Sequence, residues 1–178
     1  GAAALIRGLT SSAQGQRNLV FFISGSPEQL RTVLERKFML DGFTPDGFVL
    51  KPTVGHVLRG RFRAVRSQVA YKLNSLLEQR AEAPIGTREP LFGDAAEADA
   101  FVYSLYADLL AGRVSDNELE DVLRASGAYR EQIDKIFESL ESVVHEDPVR
   151  RIIVHLDRRT PPAAFAAVFP RVVPITNH

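Results

Sequence analysis

An α/β fold with a mainly parallel sheet covered by helices is predicted by three observations. Short β-prone apolar runs alternate along the chain with stretches of helical spacing. The most apolar run, Leu19-Val20-Phe21-Phe22-Ile23, is continuous rather than alternating, as expected for a strand buried on both faces. The 178 residues, 45% hydrophobic and without cysteine, suffice for a core that needs no disulfide or thiolate metal site.

The first strand stops at Ser24-Gly25-Ser26-Pro27. Ser26 reads as an N-cap, with Pro27 at the first helical position and Gln29 three residues after the cap. Leu30, Val33, Leu34 and Phe38 form the apolar stripe of the helix, which should end near Asp41-Gly42. Residues 47–51 read as a second strand closed by Pro52. Phe62, Val65, Val69, Leu73, Leu76 and Leu77 recur at helical spacing through residue 80, although Ser67 could cap a fresh helix and split the stretch.

Leu91-Phe92, between Pro90 and Gly93, is a very short third strand. Helical spacing resumes over 97–110, 117–124 and 133–144, with breaks at Gly112 and Gly127. Residues 151–156 form a fourth strand and residues 172–175 a fifth. One domain spanning 1–178 is expected, with 113–150 as an acidic helical insertion.

The formal net charge of zero conceals two opposed blocks. From Lys51 to Leu77 there are six basic residues (Lys51, Arg59, Arg61, Arg63, Arg66, Lys72) and no acid, with His56 among them. From Asp94 to Asp147 fourteen acids stand against Arg113, Arg124, Arg130 and Lys135. Each block is either a solvated face or a field acting on ions at one edge of the molecule. Neutrality overall implies no nucleic-acid partner. No apolar run is long enough to span a bilayer and no basic-then-apolar leader pattern opens the chain, so a cytoplasmic location is the default expectation.

Ligands of an open parallel sheet bind beyond the carboxyl ends of its strands, and three candidates fall there or close by. Ser24, Gly25 and Ser26 can offer hydroxyls and backbone N–H groups to a phosphate; equally, Ser26 can simply cap a helix. Asp94, with Asp99 five residues later, suits a magnesium ion leaning on one or two carboxylates; equally, both acids can favour a helix dipole. Lys72 can neutralise a phosphate or a carboxylate, or cover apolar surface with its stem. His56, His145, His155 and His178 are too scattered to suggest a metal site.

The order of these features carries more than each alone. Phe21-Phe22-Ile23-Ser24-Gly25-Ser26-Pro27-Glu28-Gln29-Leu30, Tyr71-Lys72-Leu73, and Gly93-Asp94 followed by Asp99 and Tyr103 resemble phosphatidate phosphatases of the actin-patch type. Those enzymes are a branch of the haloacid-dehalogenase-like (HAD) phosphohydrolase superfamily, and the resemblance runs from about Ala2 to Leu156. It implies a three-layer α/β/α Rossmann-like domain. Ser24, with Gly25, would bind the transferring phosphoryl group, and Lys72 would steady nucleophile and phosphate. Asp94 would ligate Mg2+, with Asp99 supporting it. The implied partner is a phosphorylated small molecule or a phospholipid head group, the latter through peripheral membrane contact.

One part of the pattern is missing. The family's Asp-x-Asp supplies the nucleophile and the general acid, but residues 1–23 contain no Asp, Glu, His or Cys. The implied position of that strand is central, between the strand ending at Ser24 and the one ending at Asp94. The chain is therefore expected to be inactive alone and to be part of a longer protein, incomplete at both ends, with Ala2 to Leu9 as the helix after the missing strand. The competing expectation is a HAD-like binding or scaffolding module that has lost its nucleophile. An unrelated nucleotide-binding domain is disfavoured because no Gly-x-Gly-x-x-Gly follows any strand.

Overall fold

The computed structural model describes residues 2–10, 17–51 and 61–176, with side chains from residue 68 onward in the helix that begins at Arg61. The chain is mixed α/β with parallel sheets, and its contacts fall into two compact units, Gly1–Leu58 and Arg59–His178.

The first unit contains α1 (Ala2–Thr10), β1 (Phe21–Pro27), a 3-10 turn (Glu28–Leu30), α2 (Arg31–Leu40) and β2 (Gly47–Lys51). β1 and β2 are parallel, with Phe22 opposite Phe48 and Ser24 opposite Leu50. Parallel neighbours need a crossover, and α2 supplies it. Phe22, Phe38, Phe43 and Phe48 cluster with ring centroids 4.8 to 5.7 Å apart, joining strands, crossover helix and following turn. Gly42 takes a φ of 76° just after α2, and Phe43 N–H donates to the Phe38 carbonyl, so the helix stops where the Asp41-Gly42 pair predicts.

Its beginning differs from expectation. β1 runs on to Pro27, whose partner is Lys51, and Pro27 occupies the cap position of the 3-10 turn with no side-chain cap bond. Ser26 is therefore not an N-cap: it lies within β1, at the register irregularity between Ser24 and Pro27, ahead of the turn. The first strand is also not buried on both faces. Leu19 is 60% and Phe21 45% exposed, and along the crossover Leu30 and Val33 are exposed too. One crossover helix covers one face of a two-stranded sheet, and burial of both faces needs helices on both.

The second unit contains α3 (Arg61–Glu82), β3 (Glu89–Asp94), α4 (Asp99–Leu110), α5 (Asp116–Ala125), α6 (Arg130–Glu141), β4 (Val149–His155), α7 (Pro162–Val168) and β5 (Val172–Ile175). The strands form a parallel sheet in the order β3-β4-β5. β3 pairs with β4 on one edge and with no described strand on the other, just as β1 pairs with β2 alone. Pro90, with no N–H to donate, is accommodated at the register irregularity between Glu89 and Pro90, which lets β3 extend beyond Leu91-Phe92.

α4 packs on β3 and β4, α7 on β5, and α3 against both α4 and α6. The core runs through Val69, Leu73 and Leu77 of α3, Val102, Tyr106 and Leu110 of α4, and Ile152 and Val154 of β4. α3 is continuous through Ser67.

The acidic stretch folds as two amphipathic helices. Leu119, Leu123, Ile133, Ile136 and Leu140 are buried, while Glu120 pairs with Arg124 and Asp134 with Arg130 at the surface. Ser115 and Glu118 form a capping box at the start of α5, and Gly112 and Gly127 take positive φ at the breaks. α7 has no counterpart in the sequence reading: its alanines leave no apolar stripe to detect. No helix among the described residues is long and apolar enough to cross a membrane.

Candidate functional site

Three of the sequence candidates meet at the carboxyl end of β3, within the second unit. Lys72 belongs to the inward face of α3: Val69, Leu73, Leu76 and Leu77, at positions −3, +1, +4 and +5 from it, are all buried. A lysine in such a place is not a surface residue covering apolar atoms. It is 2% exposed, and a buried ammonium requires charged partners. One comes from the turn before α4 and one from its first residue. Nζ lies 2.5 Å from Asp99 Oδ1 and also pairs with Glu97 Oε2.

Asp99 is itself 5% exposed, and both its oxygens are engaged. Oδ1 accepts from Lys72, and Oδ2 accepts from the Asp94 backbone N–H at 3.0 Å. The Asp99 carboxylate thus ties α3 to the turn in which Asp94 sits. Asp94 points its own Oδ1 at the Ala96 N–H, 2.7 Å away, fixing the side chain over the turn. Its other oxygen is directed elsewhere, and the side chain is 51% exposed.

Gly93 explains why the loop can close this tightly. A Cβ there would lie 2.5 Å from Asp99 Cβ, 2.7 Å from Asp99 Oδ2 and 2.8 Å from the Tyr103 ring. The glycine before Asp94 is therefore a requirement of close packing. Tyr103, one turn into α4, donates to the Phe92 carbonyl at 3.1 Å. Burial first, then the Asp99 and Glu97 charges, push its pKa far above the ordinary tyrosine value, so it stays a neutral donor.

A magnesium ion fits this arrangement through Asp94 alone among the named acids. Asp94 Oδ2 takes no hydrogen from a backbone group, whereas both Asp99 oxygens are spoken for. Mg2+ keeps several waters and can lean on one or two carboxylates; among the described residues no group of three or more His, Cys, Asp or Glu side chains could hold a metal ion.

Ser24 and Gly25 lie near the carboxyl end of β1, in the first unit. Ser24 Oγ accepts from the Ser26 N–H at 3.2 Å, a local duty that the sequence does not advertise. Of the basic block, His56 and Arg59 lie outside the described residues, as do the side chains of Arg61, Arg63 and Arg66.

Two participants escape the sequence reading. Glu97 is visible in the acidic run, but nothing local marks it as a partner of a lysine 25 residues earlier. His155 is set aside there as one of several scattered histidines. It is the register partner of Asp94, and its Nδ1 lies 3.4 Å from Asp94 Oδ2. The available signal was its place at the end of the fourth strand, where a residue faces the neighbouring strand's terminus.

No family model, curated protein or solved structure matches this chain.

Proposed function

We propose that the chain carries the second to fourth motifs of a HAD-type, magnesium-dependent phosphatase domain acting on a phosphomonoester, with phosphatidate as one candidate substrate. The observation that supports this reading best is the relay Lys72–Asp99–Asp94. The buried Lys72 ammonium pairs with the buried Asp99 carboxylate, which also accepts from the backbone N–H of Asp94, whose own side chain is exposed, and the resemblance assigns these three residues to its third and fourth motifs.

Phosphoryl transfer is promoted mainly by positioning and charge neutralisation. Asp94 would hold Mg2+, which when bound supplies positive charge to the phosphoryl oxygens. Asp99 keeps the Asp94 backbone and the Lys72 ammonium in fixed relation. Ser24 and Gly25, in the first unit, are assigned to the phosphoryl group by the resemblance alone. The attacking carboxylate and the general acid are not among residues 1–23 and would come from a strand outside these 178 residues.

A polypeptide that includes an upstream Asp-x-Asp strand is expected to hydrolyse p-nitrophenyl phosphate with Mg2+, and the 178-residue chain to show no turnover. Asp94→Asn in the active polypeptide should remove most activity; an unchanged rate and metal dependence would overturn the assignment. The second reading, a binding module without turnover, is favoured by the lack of any carboxylate before Ser24. It predicts that no upstream Asp-x-Asp exists.

A further inference from the structure

We infer that Glu97 is a gate on the anion site at Lys72: its carboxylate holds the place on the Lys72 ammonium that a phosphate group must take, and phosphate binds by displacing it. This inference rests on the phosphate-binding role that the resemblance implies for Lys72 and adds to it a residue that controls access.

Three observations carry it. The first is an excess of charge. Lys72 Nζ is shared by Glu97 and Asp99, so one buried ammonium stands against two carboxylates. A single carboxylate balances a buried cation, and Asp99 is the one that must stay, since its own burial depends on Lys72 and on the Asp94 N–H. Glu97 is the surplus partner.

The second is a difference in freedom. The Glu97 side chain is 44% exposed, against 8% for that of Asp99. Asp99 belongs to α4, whereas Glu97 lies in the turn of residues 95–98 ahead of it, where its N–H donates to the Asp94 carbonyl. Among the described residues Lys72 is the only hydrogen-bond partner of the Glu97 carboxylate. A half-exposed carboxylate can exchange such a partner for water with little loss. The third is place. Lys72 is 2% exposed and Glu97 is the solvent-facing one of its two partners, so the way from water to Nζ leads past the Glu97 carboxylate. That way opens at the carboxyl end of β3, where ligands of a parallel sheet bind. Phosphate offers the ammonium the same kind of charged oxygen acceptor, so exchanging carboxylate for phosphate keeps the buried Lys72 paired throughout.

The test uses the 178-residue chain and inorganic phosphate, with no need for turnover. The Lys72 ammonium is followed by its proton–nitrogen correlation in nuclear magnetic resonance while phosphate is titrated in. Glu97→Gln is expected to bind phosphate about tenfold or more tightly than wild type, the fold-change that a hydrogen bond to a charged group carries. Glu97→Asp keeps the charge but shortens the reach by one methylene, so it should tighten binding as well, by about threefold or more. Lys72→Met should abolish binding in each of these chains. Should Lys72→Met fail to fold, the response of the ammonium signal in Glu97→Gln decides by itself.

Tighter binding in Glu97→Gln without any in Glu97→Asp would reduce Glu97 to a source of repulsion and overturn the gate. Equal phosphate affinity in wild type and both variants, with Lys72 still required, overturns the gate and leaves the role of Lys72 standing. A Lys72 ammonium signal that phosphate leaves unmoved in all three chains overturns both.

Discussion

The two ends of β3 are served by the same device built to different purposes. At the amino end Arg80 of α3, 5% exposed, pairs with Glu89 at 3.0 Å and with Glu146, and donates to the Thr87 carbonyl. Tyr106 donates to the other Glu89 oxygen at 2.8 Å. At the carboxyl end Lys72, two helical turns earlier on α3, pairs with Asp99 and Glu97. Each cluster sets one buried cation against two carboxylates. The Arg80 cluster is closed: guanidinium, tyrosine and carboxylates satisfy one another, and only a structural role is left. The Lys72 cluster hands its last carboxylate a backbone N–H, that of Asp94, and the Asp94 side chain is left half exposed beside His155.

Arg80→Met should show the widest gap between the two ends. Removing one partner of a buried pair strands the others, and Glu89 and Glu146 are both largely covered, so a loss of about 3–5 kcal/mol is expected in urea unfolding. Lys72→Met should lose less, about 1–3 kcal/mol, because Glu97 is 44% exposed and can rehydrate, while Asp99 keeps its backbone donor. Equal losses would erase the distinction drawn between a closed and an open cluster.

Gly93→Ala tests the open end alone. The added methyl group meets Asp99 and Tyr103, and overpacking of this kind destabilises by about 1–3 kcal/mol. Mg2+ binding should weaken with it, since the displaced Asp99 no longer fixes Asp94. Full metal affinity in a destabilised Gly93→Ala chain would separate the packing from the site.

Tyrosines at both ends give a pH signature. Burial, then neighbouring carboxylates, raise the pKa of Tyr103 and of Tyr106 above the ordinary value. A raised folded pKa means that stability is fully present below the unfolded value of about 10 and declines as pH rises past it, because only the unfolded chain ionises readily. Thermal midpoints should fall above that pH. Tyr106→Phe should flatten the decline and lose about 1 kcal/mol at neutral pH through the bond to Glu89. An unaltered alkaline slope in Tyr106→Phe would remove Tyr106 as its source.

A smaller effect, remote from both ends, serves as the yardstick. Ser115→Ala removes the capping box of α5 and should lose about 1 kcal/mol. The Ser115 hydroxyl, then its backbone N–H, hold the Glu118 pKa below its usual value. That contribution is present at neutral pH and disappears as pH falls through the lowered value. A Ser115→Ala difference that persists undiminished into strong acid would show that Glu118 is not involved.

Elements were legible wherever the chain's local pattern has one reading. Residues 47–51 and 172–175 are the strands their β-prone runs predict, and Gly112 and Gly127 break helices where they stand. Ser26 misled because Ser-Pro with Gln29 spells a helix start whether or not a neighbouring strand prolongs the pairing; here Lys51 does so, through Pro27. Lys72, Asp94 and Asp99 were legible as candidates by type and order. His155 was not, since its significance lies in register with a strand 61 residues away.

Patterning by itself thus settled the α/β class, the alternation of strand and helix, and the amphipathic nature of the acidic stretch, because apolar periodicity acts over a few residues. Tertiary structure alone decided which of the charged residues are buried, that Lys72 meets Asp99 and Glu97, and that Gly93 must lack a side chain. It also decided that Asp94 and His155 face each other. Those outcomes depend on strand register and on the approach of α3 to α4, and neither distance is encoded in local spacing.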